Sequence, residues 1–279
     1  MTPPSRPAAL PAAQRSELAR AVGLLESSNF AVRIADFAGR PFSQALDLVP
    51  KANASLRRVV HEAVMNCLEL AVDSLEEEAH PPSIWLPKAM TGLTGGIGGL
   101  FGAFALPVEL PLTTTLMLRA IADIARHHGE DLSHIEARLA CLEVFALGGR
   151  KAEAKGEIGY YAARAVFTKL SNDLISYVME RGVLEASAPA VARLVSTVVS
   201  GFGMAVSERI AASAVPILGA VGGATLNVIF MDHFERVAHG HFALRRLERL
   251  HGQEEIGRLY QELRRAERRE GAGQPGSAT

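Results

Sequence analysis

Between Lys88 and Glu109 the chain reads AMTGLTGGIGGLFGAFALPV, and between Arg209 and Asp232 it reads IAASAVPILGAVGGATLNVIFM; neither stretch carries a charge. Each is long enough to cross a bilayer, for which about 20 apolar residues suffice. Yet both are rich in glycine, and a glycine in a helix interior costs roughly 1 kcal/mol relative to alanine. Gly92, Gly96 and Gly99 recur at intervals of four and three, as do Gly95, Gly98 and Gly102, and Gly219 and Gly223 repeat the interval of four. Such spacing gives a helix a smooth face against which a second backbone can approach closely. The expectation is therefore two glycine-rich apolar helical segments packed together, with a membrane-inserted or membrane-contacting hairpin as the alternative. A phosphate loop is the weakest reading, because GGIGGLFG lacks G-x-x-x-x-G-K-[ST], and Phe101 stands where G-x-G-x-x-G needs its last glycine.

The rest of the chain has a helical period. Leu56, Val59, Val60, Ala63, Val64, Cys67, Leu68, Ala71 and Leu75 recur at three and four, which predicts a long amphipathic helix stopped by Pro81 and Pro82. Ser133 and Glu136 have capping-box spacing before an apolar run that ends at Gly148 and Gly149. Further helices fit residues 157–170, 171–181, 190–207, 226–250 and 254–270, and alternating strand patterns are nearly absent. The predicted class is all-α: one multi-helix domain over 14–270, between a Pro/Ala-rich tail at 1–13 and a small, polar tail at 271–279.

Lys and Arg number 29 against 30 for Asp and Glu, so no broad positive field exists to attract nucleic acid. Cys67 and Cys141 each sit in an apolar helical pattern and read as core thiols rather than a disulfide. The first 13 residues lack the apolar run of a secretory signal, which makes the cytoplasm the expected compartment. Basic residues are spread evenly between and around the two apolar stretches, so no positive-inside bias favours two simple membrane spans.

The stretch GLTGGIGGLFGAFALPVELPLTTTLMLRAIADIARHHGEDLSHIEARLACLEVFALG and, later, VPILGAVGGATLNVIFMDHFERVAHGHFALRRLE resemble the EcsC family, from roughly Leu56 to His251. The resemblance implies an α-helical fold. It also implies a context, since the family takes its name from a protein encoded beside the ATPase and membrane subunits of an ABC transporter. It supplies no catalytic residues.

Few polar residues stand out as carriers of chemistry. Glu109, between Pro107 and Pro111 and flanked by apolar neighbours, either caps a helix or meets a buried partner. Arg119 and Asp123, one turn apart, read as a surface ion pair. Asn227, the strongly polar side chain of the second apolar stretch, either fixes helix register or contacts a ligand beside Glu109. His233, Glu235, His239 and His241 cluster in sequence, but their spacing is poor for one helix face and H-E-x-x-H is absent, so no metal and no cofactor is expected. The arginines and glutamates from Arg245 to Arg269 read as a solvated helix face with Ile256, Leu259, Tyr260 and Leu263 as its packing stripe.

Three functions stay open on this reading. The first is a non-enzymatic accessory protein at the cytoplasmic face of the membrane, whose partner is a membrane surface, a lipid or a membrane protein. The second is a lipid or apolar-ligand carrier. The third is a hydrolase-type enzyme with a pocket near Glu109 and Asn227, with Arg119 and Asp123 as further candidate contacts.

Overall fold

The computed structural model describes residues 10–26, 54–73, 106–149, 159–213 and 220–272. These form eight α-helices and, among the described residues, no strand: α1 Ala12–Glu26, α2 Ala54–Asp73, α3 Leu106–His127, α4 Ile135–Gly148, α5 Tyr160–Arg181, α6 Pro189–Ser213, α7 Ala220–His251 and α8 Gln253–Ala272. The all-α expectation holds. The glycines Gly92, Gly95, Gly96, Gly98, Gly99, Gly102 and Gly219, and the stop at Pro81 and Pro82, lie outside the described residues.

The apolar stripe read along α2 faces inward: Val60, Ala63, Val64, Cys67, Leu68 and Ala71 are all buried. Several boundaries differ from the sequence reading, among them that of α6, which runs on to Ser213 rather than ending at 207. The capping box at Ser133 does not form. Asp131 Oδ1 instead accepts the Ser133 N–H at 2.9 Å, closing a local turn, and α4 starts two residues later behind His134, which makes no side-chain cap bond. Residues 160–181 form one helix rather than two, because Ser171 faces inward and continues the stripe between Phe167 and Leu174. α7 begins at Ala220, six residues before the expected start, so Gly223 lies in a helix.

Helix ends follow backbone chemistry. α5 closes on Gly182, whose left-handed φ of 70° lets its N–H reach the Val178 carbonyl at 2.8 Å. Gly252, at φ 87°, ends α7 in the same way and separates it from α8.

The helices share one core centred on α4, α6 and α7. Phe145, Phe202, Phe230 and Phe234 are fully buried, with ring centroids 4.9 to 6.0 Å apart. Where α4 crosses α6, the helices approach so closely that a Cβ on Gly149 would overlap the Gly201 carbonyl, and one on Gly201 would overlap the backbone of Ala146. α6 is long and apolar enough over Pro189–Ile210 to cross a membrane, the one such helix among the described residues. Its side chains Val191, Leu194, Val195, Val198, Phe202 and Val206 are buried in this core.

The order of contacts gives the bundle two unlike poles. His128 and Glu130, just past the end of α3, meet His239, Arg245 and Arg249 in the second half of α7. α3 and α7 therefore pack side by side in the same sense. Arg138 bonds both the Ala71 carbonyl and the carbonyls of Leu132 and Ser133, so α2 also ends at this pole. Both helices therefore begin away from this pole, and α6 meets α7 on that side, with Arg209 over the Phe230 ring at 5.6 Å.

Candidate functional site

Polar groups collect on the side of α7 that faces α4 and α5. α4 is apolar almost throughout, yet Glu143 sits among Leu139, Cys141, Leu142, Val144 and Phe145, with its side chain 4% exposed. One residue into α5, the Tyr160 hydroxyl shares a 2.8 Å hydrogen bond with Nδ1 of His241, whose side chain is fully buried. His241 Nε2 lies 3.7 Å from Glu143 Oε2, beyond a good hydrogen bond. Burial pushes the Glu143 carboxyl up to about 8, against the pull of Arg164 and Arg245. Burial, with Arg245 and Arg164 nearby, holds His241 well below the usual imidazole range. Both groups are therefore neutral at pH 7, and their contact is not an ion pair.

A ring of ion pairs surrounds this neutral centre. Glu248 accepts the Tyr161 hydroxyl at 2.9 Å and Arg164 Nη1 at 2.7 and 2.6 Å. Glu130 accepts Arg245 through two bonds of 2.8 and 3.0 Å and also meets Arg249. Burial opposes the charge on Glu130, but Arg245 and Arg249 hold its carboxyl below the usual range. Glu26 of α1 accepts the Tyr260 hydroxyl at 2.5 Å and Arg264 at 3.1 Å, joining α1 to α8. The rings of Tyr160 and Tyr161 in α5 and Tyr260 in α8 pack with centroids 5.2 to 5.7 Å apart.

Outside the ring, Tyr161, Arg164, Thr168, Lys169, Asn172, Asp173 and Gln253 border an open depression of about 380 Å³. Its floor is Tyr161 and Arg164, whose polar ends are held by Glu248. The cluster thus fixes α4, α5 and α7 in register through groups that are mostly sealed from solvent.

The residues singled out from the sequence fall elsewhere. Asn227 is fully buried in the first third of α7. Glu109 belongs to the first turn of α3, which runs through Pro107 and Pro111, and its side chain lies outside the described residues. Asp123 does not pair with Arg119: it accepts Arg126 at 2.9 Å, three residues on, while the exposed Arg119 acts only through space. The three clustered histidines of α7 diverge. His233 bonds the Gly148 carbonyl at 2.7 Å, His241 bonds Tyr160, and His239 meets His128 at 3.3 Å. Cys67 and Cys141 are buried free thiols, both pushed up to about 12 by burial.

Glu143 and Tyr160 were not singled out from the sequence, and His241 was noted only within the histidine cluster of α7. A signal existed for the first, since a lone carboxylate in ARLACLEVFALG is as conspicuous as Asn227 in its own apolar stretch.

Comparison with known families matches residues 31–247 to the EcsC protein family. The chain belongs to the EcsC family. The match runs from before α2 to the last turn of α7 and includes Glu143, Tyr160, Arg164, His241 and Arg245. α1 and α8, with Glu26 and Tyr260, flank this EcsC region. No curated protein and no solved structure matches the chain.

Proposed function

We propose that this EcsC protein is a non-enzymatic accessory protein that docks at the cytoplasmic face of the membrane through the pole where α3 and α7 begin. One observation carries this reading. Both glycine-rich apolar stretches lead into helices that start at that pole, the first into α3 and the second into α7. Leu112 and Val228, in the first third of those two helices, are each 42% exposed. The opposite pole carries Glu130, Asp131, Arg126, Arg249 and His251, together with the exposed Leu250. Apolar side chains exposed near the starts of α3 and α7 suit a lipid interface, where apolar area enters the headgroup boundary and charge stays in water.

The most ionisable constellation supports the non-enzymatic half of the reading. Glu143, Tyr160 and His241 are packed as a neutral, buried joint, and the Tyr161 and Arg164 groups that approach solvent are already engaged by Glu248. The context implied by the family, an ABC transporter, makes a transporter membrane subunit the class of protein partner.

Fractionation of cells and flotation of the purified protein with anionic vesicles test the proposal. Recovery with the membrane fraction and with vesicles is expected. Recovery only in the soluble fraction, without flotation, contradicts it. Lipid retained in a fixed ratio by protein that does not float would favour the carrier function instead.

A further inference from the structure

Arg57 and Arg58, in the opening turns of α2, are exposed, and neither makes a hydrogen bond or ion pair with another described residue. Their place along the bundle follows from three contacts. Arg138 ties the Ala71 carbonyl to those of Leu132 and Ser133, so α2 and α3 end together and their first residues lie away from that end. Val60, just after Arg58, is what a Cβ on Gly203 of α6 would meet, at 3.8 Å, and the nearby Phe202 packs on Phe230 of α7 with centroids 6.0 Å apart. The exposed Val228, just before Phe230, therefore stands at about the depth of the two arginines. Leu112 stands further out. With α3 and α7 aligned by the contact of His128 with His239, it lies roughly five residues, or about 7 Å, beyond the level of Val228.

Apolar side chains of an interfacial protein sink about 5–10 Å into the boundary between headgroups and acyl chains. With Leu112 at that depth, Arg57 and Arg58 stand among the phosphates. On this side of the Val60 level α7 carries no charge, the adjacent Glu208 and Arg209 of α6 cancel, and the two arginines outnumber Glu109 of α3. We infer, on the basis of membrane docking at this end, that Arg57 and Arg58 make the surface selective for anionic phospholipid. Neither guanidinium has to leave a carboxylate in order to meet a phosphate, so the attraction is not offset by a lost ion pair.

The test measures sedimentation of the full chain with vesicles of phosphatidylcholine alone or with one-third phosphatidylglycerol. Wild type should prefer the anionic vesicles, and added salt should erase the preference. Arg57→Gln/Arg58→Gln should weaken anionic binding about 25-fold, since each basic residue near such a surface contributes about 5-fold. Arg57→Lys/Arg58→Lys should bind as wild type does, because a screened surface attraction depends on charge rather than on the guanidinium fork. Arg193→Gln, at an exposed arginine near the other end of α6, should bind unchanged. Thermal melts establish that the variants fold. Equal binding of wild type to both kinds of vesicle overturns the headgroup preference while docking itself stands. A loss in the Arg57→Gln/Arg58→Gln variant no larger than in Arg193→Gln overturns the assignment to these arginines. Absence of binding to either vesicle overturns docking and selectivity together.

Discussion

The hydroxyl of Tyr160 lies 2.8 Å from Nδ1 of His241, and both side chains are almost entirely removed from solvent. The bond ties the first turn of α5 to the middle of α7. Tyr160→Phe keeps the ring packing against Tyr260 but leaves the imidazole nitrogen without that partner. A buried, unsatisfied polar atom costs about 1–3 kcal/mol. Denaturant melts should show that loss with an unchanged slope.

Glu143 gives a pH signature of definite sign. Its folded value of about 8 lies above the ordinary 4.5, so the folded state holds a proton that the unfolded state has released. The stabilising contribution is full below the unfolded value and is lost as pH rises toward 8. His241 and His128 work in the opposite direction, since both are depressed when folded, His128 to about 4 by burial and then by His239, His127, Arg246 and Arg249. Their contribution is present above 6.5 and declines below it. Between pH 6.5 and 8, Glu143 therefore acts apart from these two histidines. Stability should fall with rising pH there by up to about 1.4 kcal/mol per unit, and Glu143→Gln should flatten the slope in chemical melts.

Two glycines two positions apart in α6 should respond oppositely to alanine. A Cβ on Gly201 would strike the backbone of Ala146, which can yield only by separating α4 from α6. Gly201→Ala should destabilise by about 1–3 kcal/mol. At Gly203 the nearest atom to an added Cβ is Val60 Cγ1 at 3.8 Å, an ordinary contact. Gly203→Ala should be neutral or stabilising by up to about 1 kcal/mol, through helix propensity. Thermal melts of the pair measure the difference.

Local patterns made the helices legible, and tertiary contacts hid the polar cluster. The stripe from Leu56 to Ala71 identifies α2 because each turn repeats the same demand for burial. The turn at Asp131 was harder to read, since an aspartate that takes the Ser133 N–H competes with a cap at Ser133, and the sequence pattern fits both. Close backbone approach at glycine operates, among the described residues, at Gly149 and Gly201, where the spacing shows no repeat, while the repeating glycines from Gly92 to Gly102 lie outside those residues. Tyr160 and His241 are 81 positions apart, and no periodicity within either helix announces their meeting.

The docking pole is tested most directly by vesicle flotation of Leu112→Asp/Val228→Asp beside wild type. Both side chains are 42% exposed, so the changes should leave the melting temperature nearly unaltered, while a charge at each position opposes entry into an apolar interface. The account predicts that wild type floats with anionic vesicles and that the folded double variant stays at the bottom of the gradient. Equal flotation of the two proteins, or no flotation of wild type, would contradict it.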